Sequence, residues 1–277
     1  MTPRTSPPDL SGRRGLNQIQ GTRRIVAVMG TVFSIDLRDL HPGADAVDEV
    51  VAWWRWVDRT FSTYRLDSEI SRLVDGSLRP SDCAPEVRHV LDLCAQASRA
   101  SGGYFTDRPR GRLDPSGMVK GWSAEVASGV LLQAGSAHHC ITAGGDVQCA
   151  GRPAAGEVWR IGVVDPSDPQ RLLAVVAASE TPRLAVATSG TAERGLHVID
   201  PSTGSPAAEL ASLTVVASDL TLADWTATAA FAMGHDSRPW LEQTDGVEAY
   251  AVTPRGDYWC TSGFAQRGQI LTAPLDC

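Results

Sequence analysis

Missing from this sequence is any uninterrupted apolar run near the roughly 20 residues that a membrane-spanning helix needs. Its first twenty residues, MTPRTSPPDLSGRRGLNQIQ, carry charge but no apolar stretch of the kind a secretory signal contains. The six cysteines (Cys83, Cys94, Cys140, Cys149, Cys260 and Cys277) include no C-x-x-C pair and no Cys/His set at ligand spacing. That excludes a zinc module and a dense disulfide framework, and it implies reduced thiols in a cytoplasmic protein. An excess of positive charge is lacking too: 25 Lys and Arg against 32 Asp and Glu give a net charge of -7. A general nucleic-acid binder needs a basic face, so that class is excluded. Neither a G-x-G-x-x-G turn, a P-loop nor a G-x-S-x-G elbow occurs, which removes the common ATP-dependent enzymes and serine esterases. No internal repeat is visible.

What is present is the composition of a globular domain, 43% hydrophobic and 21% charged. Residues 1–23 are rich in Pro, Ser, Gly and Arg and read as a flexible arm, leaving 24–277 as a single domain. Alternation over Arg24–Asp39 predicts a strand interrupted at Met29-Gly30-Thr31. Asp45–Phe61 predicts an amphipathic helix whose Trp53 and Trp54 belong to the core. A second helix is expected over Ala84–Ser101, stopped by Gly102-Gly103. A loop should follow to Gly117, then a helix over Val119–Gln133. Strands are expected at His139–Ala143, Trp159–Val164, Leu172–Ala178, Leu184–Thr188, Leu196–Ile199 and Leu213–Ala217. An Ala-rich helix over Thr221–Met233 precedes a hairpin of Val247–Thr253 and Tyr258–Gly263. Helices and strands lack regular βαβ alternation, so the fold class is α+β, a mixed and largely antiparallel sheet with packed helices.

Four clusters place polar or small residues among apolar ones. Leu113 to Gly121 runs from a loop into a helix with Lys120 in its first turn, an anion site or an ordinary helix start. Gly144-Gly145-Asp146 follows a strand, as a close approach to a ligand or as a plain turn. Thr188-Ser189-Gly190 precedes His197 in an apolar segment, as acid/base machinery or as a core histidine. Asp224 and Thr228, at i and i+4, share one helix face. Two hard oxygens there suit Mg²⁺, although a capping Asp and a back-bonded Thr give the same pattern.

In this order the clusters resemble the ApbE-type flavin transferases. The matched run also includes Met29-Gly30-Thr31, Phe61-Ser62-Thr63-Tyr64, Asp67 to Ser71 and Gly103-Tyr104-Phe105, and it spans about residues 25–265. The resemblance implies a fold related to the T-fold and FAD held in an extended cleft with a metal ion at its diphosphate. It implies that Met29 and Tyr64 contact the isoalloxazine and that Tyr104, Phe105 and Thr106 line the cleft. Asp114 and Lys120 would hold the nucleotide end. Gly117, through its carbonyl, Asp224 and Thr228 would bind Mg²⁺. Val198 would touch FAD beside His197, the base.

The implied activity is transfer of FMN from FAD to a Ser or Thr hydroxyl of an acceptor protein, releasing AMP. An FAD pyrophosphatase using water as acceptor, and a flavin carrier without turnover, are the alternatives.

Overall fold

A computed structural model describes residues 21–39, 45–178, 183–191 and 198–271. The larger of its two sheets has eight strands. They are β1 (Thr22–Val28), β2 (Thr31–Leu37), β3 (His139–Ala143), β4 (Asp146–Ala150), β7 (Arg183–Gly190), β8 (Ser212–Ala217), β9 (Glu248–Val252) and β10 (Tyr258–Cys260), hydrogen-bonded in that order. The smaller sheet has the order β11 (Gly268–Ile270), β6 (Asp168–Ala177), β5 (Arg160–Asp165). Every strand pairing among the described residues is antiparallel. The helices are α1 (Ala46–Phe61), α2 (Glu69–Val74), α3 (Pro85–Ala100), α4 (Ser116–Gln133), α5 (Leu220–Met233), α6 (Ser237–Leu241) and α7 (Phe264–Arg267). The expected α+β class is what forms.

Each face of the large sheet has its own cover. On one face Phe33, Ile35, Ile141, Ala187, Leu213 and Ala249 pack against Trp54 of α1, Ala127 and Leu131 of α4 and Ala227 of α5. On the other, Cys149, Val186, Val216 and Tyr250 meet Val163 and Val176 of the small sheet and Trp159, which precedes β5. A third cluster joins α1, α3 and α4 through Val57, Val90, Cys94 and Trp122. Helices α4 and α5 are therefore covered on several sides. That explains why their sequences read as apolar and small rather than as amphipathic.

The expected strand over Arg24–Asp39 is two strands. Met29 and Gly30 both take positive φ, 51° and 70°, and make a two-residue hairpin turn between β1 and β2. Such turns need left-handed backbone at both central positions. The Met29 N–H is held by Asp58 Oδ1 at 3.0 Å. Helices α1, α3 and α5 start and stop within a residue of expectation. Helix α4 begins three residues early, at Ser116, because Asp114 Oδ1 accepts the Ser116 N–H at 3.1 Å and supports the first turn. Strand β4 and the short helix α2 were not anticipated. The arm expected at 1–23 lies mostly outside the described residues, and its end, Thr22 and Arg23, is already in β1. Of the strand expected at Leu196–Ile199, residues 196 and 197 lie outside the described ones, and Ile199 forms an isolated bridge with Pro206. Cys83, Cys94, Cys140 and Cys149 are free. Cys260 is disulfide-bonded, which corrects the reading of all six cysteines as thiols. Bridging depends on folded proximity, which spacing along the chain does not report.

One buried polar network bears on stability. His139 at the start of β3 is fully buried. Its Nδ1 lies 3.1 Å from the Ser136 carbonyl and its Nε2 2.8 Å from Ser128 Oγ. A carbonyl can only accept, so Nδ1 carries the proton and Nε2 receives the Ser128 hydroxyl. Burial pushes this imidazole down to about 4 from 6.5. The folded state thus resists protonation that the unfolded chain accepts. This contribution is complete above pH 6.5 and drains away as pH falls toward 4, amounting to about 3 kcal/mol in full. Melting temperature should therefore drop between pH 6.5 and 4.5, and His139→Gln should flatten that acid limb. Glu125, whose carboxyl burial pushes up, works in the opposite direction, so the comparison with the variant isolates the histidine. An unchanged slope in His139→Gln would assign the acid limb to other groups.

Candidate active site

The site forms where α4 and α5 cross. Gly121 makes the crossing possible: a β-carbon there would lie 2.6 Å from both Leu220 O and Asp224 Cβ. At that approach the Gly121 N–H donates to Asp224 Oδ2 at 2.8 Å. Lys120, one residue earlier, reaches Asp224 Oδ1 at 3.3 Å. Its Nζ is also hydrogen-bonded to Asp146 Oδ2. Asp146 is 1% exposed, and its other oxygen accepts the Thr188 N–H at 3.0 Å. Thr188 Oγ1 in turn lies 2.9 Å from Thr214 Oγ1. A polar chain, buried at Asp146, Asp224 and Thr214, thus links α4, α5, β4, β7 and β8 beneath one lysine.

Above this chain opens a cleft of about 760 Å³. One wall is the α1–α2 loop with Tyr64 and the α3–α4 segment with Tyr104, Thr106, Asp114, Ser116 and Gly117. The floor carries Lys120, Asp146, Asp224 and Thr228. The far wall combines Gly144 and Gly145, the ends of β7 and β8, and Val198 with Ile199. Gly162, Val164 and Asp165 of the small sheet complete it. Gly144 has φ +63° and forms the β3–β4 turn with Gly145. The turn and ligand readings of that glycine pair are therefore compatible. Thr228 lies beside the first turn of α4, its Oγ1 3.8 Å from where a Gly117 β-carbon would sit.

Charge in the cleft is one-sided. Among its described lining residues, Asp114, Asp146, Asp165 and Asp224 face a single cation, Lys120. The Asp165 carboxyl is held below its usual range by hydrogen bonds from Ser167. A diphosphate entering this cleft would meet net negative charge unless a further cation came with it.

The structure brings together Tyr64, Tyr104, Thr106, Asp114, Gly117, Lys120, Val198, Asp224 and Thr228 of the expected set. Tyr64 stands 95% exposed at the mouth. Two residues are placed elsewhere. Phe105 is buried beneath the cleft, its Cε2 3.4 Å from a Gly117 β-carbon position and its ring edge-on to Trp225. It supports the start of α4 because its apolar ring is better covered there than at a polar wall. Met29 packs half-buried between the cores and is not part of the lining. His197 lies outside the described residues. Sequence alone assigns no individual role to Asp146, Gly121 or the small-sheet wall. A signal for the first two was available: Lys120 is the only lysine in the sequence, the other 24 basic residues being arginine. A lone lysine beside a glycine in an apolar helix is not the usual solvated surface lysine.

No group of three or more His, Cys, Asp or Glu among the described residues is arranged to hold a metal. A site with fewer such side chains draws on hydroxyl, carbonyl or water oxygens as well, donors that hard cations accept. No described helix is long and apolar enough to cross a membrane.

The ApbE family model matches residues 29–107 and 105–251. The FAD:protein FMN transferase of Escherichia coli (strain K12) is 28% identical over 164 residues, covering 56% of this chain and 46% of that protein. That of Rhodobacter capsulatus is 28% identical over 221 residues, covering 76% and 39%. The chain thus spans less than half the length of these curated relatives. The crystal structure of the ApbE protein from Thermotoga maritima superposes with a TM-score of 0.77 at 21% identity, covering 90% of this chain and 99% of that one. The likeness in fold extends over nearly the whole molecule.

Proposed function

Because the chain belongs to the ApbE family, we propose that it binds FAD in this cleft and transfers the FMN half to a protein hydroxyl. The acceptor oxygen forms a bond to the FMN phosphorus while the phosphoanhydride bond breaks, and AMP leaves. The observation that carries the reading is the charge balance: four aspartates and one lysine line a cleft that needs a divalent cation before it can hold a diphosphate.

Gly117, through its carbonyl, Asp224 and Thr228 would hold that cation, with Mg²⁺ as the proposed ion. These donors fit a hard cation, since the Asp224 carboxylate and Thr228 hydroxyl share one face of α5 beside the first turn of α4. When bound, the ion supplies Lewis-acid stabilisation of charge on the phosphates. Lys120 is steered toward the same oxygens by Asp146 and Asp224, which fix its ammonium from two sides. Tyr64 and Tyr104 offer aromatic faces for the flavin ring system, and Asp114 stands at the nucleotide end. The acceptor is a protein carrying a Ser or Thr hydroxyl.

His197 is proposed as the group that takes the hydroxyl proton, since its neighbour Val198 lines the cleft. His197→Ala is then expected to bind FAD as the wild type does while transfer slows by about a hundredfold or more. A lower melting temperature with an unaltered single-turnover rate would retire it as the base.

The direct test of function is mass spectrometry of a candidate acceptor protein incubated with this chain, FAD and Mg²⁺. An added FMN with release of AMP is expected. Free FMN formed without acceptor would instead favour hydrolysis, and intact FAD would favour a carrier. A ligand-binding test separates the two halves of the cleft. FAD should raise the melting temperature more than FMN does, and more with Mg²⁺ than without. Saturation a hundredfold above Kd corresponds to about 2.7 kcal/mol. Equal shifts with FMN and FAD would remove the adenosine half from the site.

A further inference from the structure

The side of the large sheet away from the helices holds two free thiols in contact. Cys140 of β3 and Cys149 of β4 are direct partners in the antiparallel register. Their Sγ atoms are 3.3 Å apart. Cys149 is 1% exposed, and Cys140 is only partly buried. A disulfide joins sulfurs at about 2.05 Å, so the pair has to close by little more than an ångström. The backbone already supplies the pairing. Both residues are held opposite each other by the β3–β4 ladder, whose two-residue Gly144-Gly145 turn fixes the register.

We propose that Cys140 and Cys149 form a disulfide-forming site that responds to disulfide oxidants such as oxidised glutathione. The Cys140 thiolate attacks one sulfur of the oxidant, and the first glutathione leaves as a thiolate with the electron pair of the broken S–S bond. Cys149 then attacks the Cys140 sulfur of the mixed disulfide, and the second glutathione leaves. Two protein thiols are oxidised, one external disulfide is reduced to two thiols, and the two protons pass to the leaving groups. The order of attack follows from exposure. Cys149 is closed in by the two sheets, and its thiol is pushed up by the hydrogen bond to Cys140 and by burial, which makes it the poorer first nucleophile. Cys94, by contrast, lies in α3 within the helical layer, where burial pushes its thiol up to about 12. The bridge would tie β3 to the strand that begins at Asp146, the anchor of Lys120.

The sequence makes the test clean. No Lys or Arg stands between Lys120 and Arg152, so trypsin leaves both cysteines in one peptide. The full chain is incubated with oxidised glutathione under native conditions, alkylated and digested. The expected result is that peptide lighter by two hydrogens and unalkylated, restored by dithiothreitol. A bridge to any other cysteine would join two peptides instead. In Cys149→Ser the same treatment should stop at a glutathione adduct on Cys140. Alkylation of both cysteines in the treated wild type, a stable glutathione adduct there, or a bridge to another cysteine would each overturn the proposal. The wild-type result decides by itself if the variant fails to fold.

Discussion

Asp224→Asn is expected to lower the proposed Mg²⁺-dependent FAD turnover by about a thousandfold or more while the protein still melts cooperatively. The folded carboxylate does three things at 4% exposure: it accepts the Gly121 N–H, it faces Lys120, and it is the one acidic group on the face of α5 proposed to bind the cation. Asparagine keeps the first through its amide oxygen and loses the charge. In the proposed ligand set Asp224 is the one anion, so its loss would remove most of the ion's hold. A loss of about 4 kcal/mol of charge stabilisation in the transition state corresponds to about a thousandfold in rate. Alanine would be less clean, because it strands the buried Gly121 N–H at a cost of about 1–3 kcal/mol. AMP release measured against Mg²⁺ concentration, together with a melting curve, separates the two effects. A wild-type rate for Asp224→Asn at low millimolar Mg²⁺ would move the metal site elsewhere.

Why these residues were legible before the fold, and others were not, follows from the range of the interactions involved. Asp224 and Thr228 could be paired in advance because i and i+4 on a helix share a face whatever the tertiary structure does. The limits of α1 followed from periodicity, since Val50, Trp54 and Val57 repeat on one buried face. The six residues of α2 carry too little period to be seen, and their start depends on Ser68 Oγ accepting the Ser71 N–H. Strand β4 is short and buried at every position, so it shows no alternation to mark it. The hairpin at Met29 was obscured because a methionine at positive φ defies local preference and is held there from α1 by Asp58. Asp146 was visible as a residue but not as an anchor, because its partners Lys120 and Thr188 are 26 and 42 positions away. Phe105 is hard to place from sequence for a related reason: an aromatic ring near a glycine motif can line a cleft or lie beneath it, and only the helix crossing decides. The family resemblance supplied the order of the motifs, whereas the polar chain that joins them is tertiary.

Gly121 is the residue on which the site's geometry most depends. In an isolated helix, Gly→Ala is favourable by about 1 kcal/mol, because alanine gives up less backbone freedom. Two of the three glycines of helix α4, Gly121 and Gly129, test whether that preference survives packing. Around Gly129 nothing lies within 4 Å of an added β-carbon, so propensity acts unopposed there. Gly129→Ala should stabilise the protein by about 0.5–1 kcal/mol and raise the melting temperature by a few degrees. At Gly121 the added carbon meets the Leu220 carbonyl oxygen and Asp224 Cβ at 2.6 Å. The first is backbone that no rotamer change can move. Overpacking of this kind costs typically about 1–3 kcal/mol and more where neighbours are fixed, so the clash outweighs the propensity gain. Gly121→Ala is therefore expected to destabilise, and Gly121→Val to do so severely. The change should also cost activity. Pushing α5 away from α4 separates Asp224 from Lys120 and Thr228 from the Gly117 backbone, the two pairings on which the cleft floor rests. Melting curves of both alanine variants, with FAD turnover in each, decide the matter. A stabilised and fully active Gly121→Ala would mean that α4 and α5 are not held as closely as this structure has them.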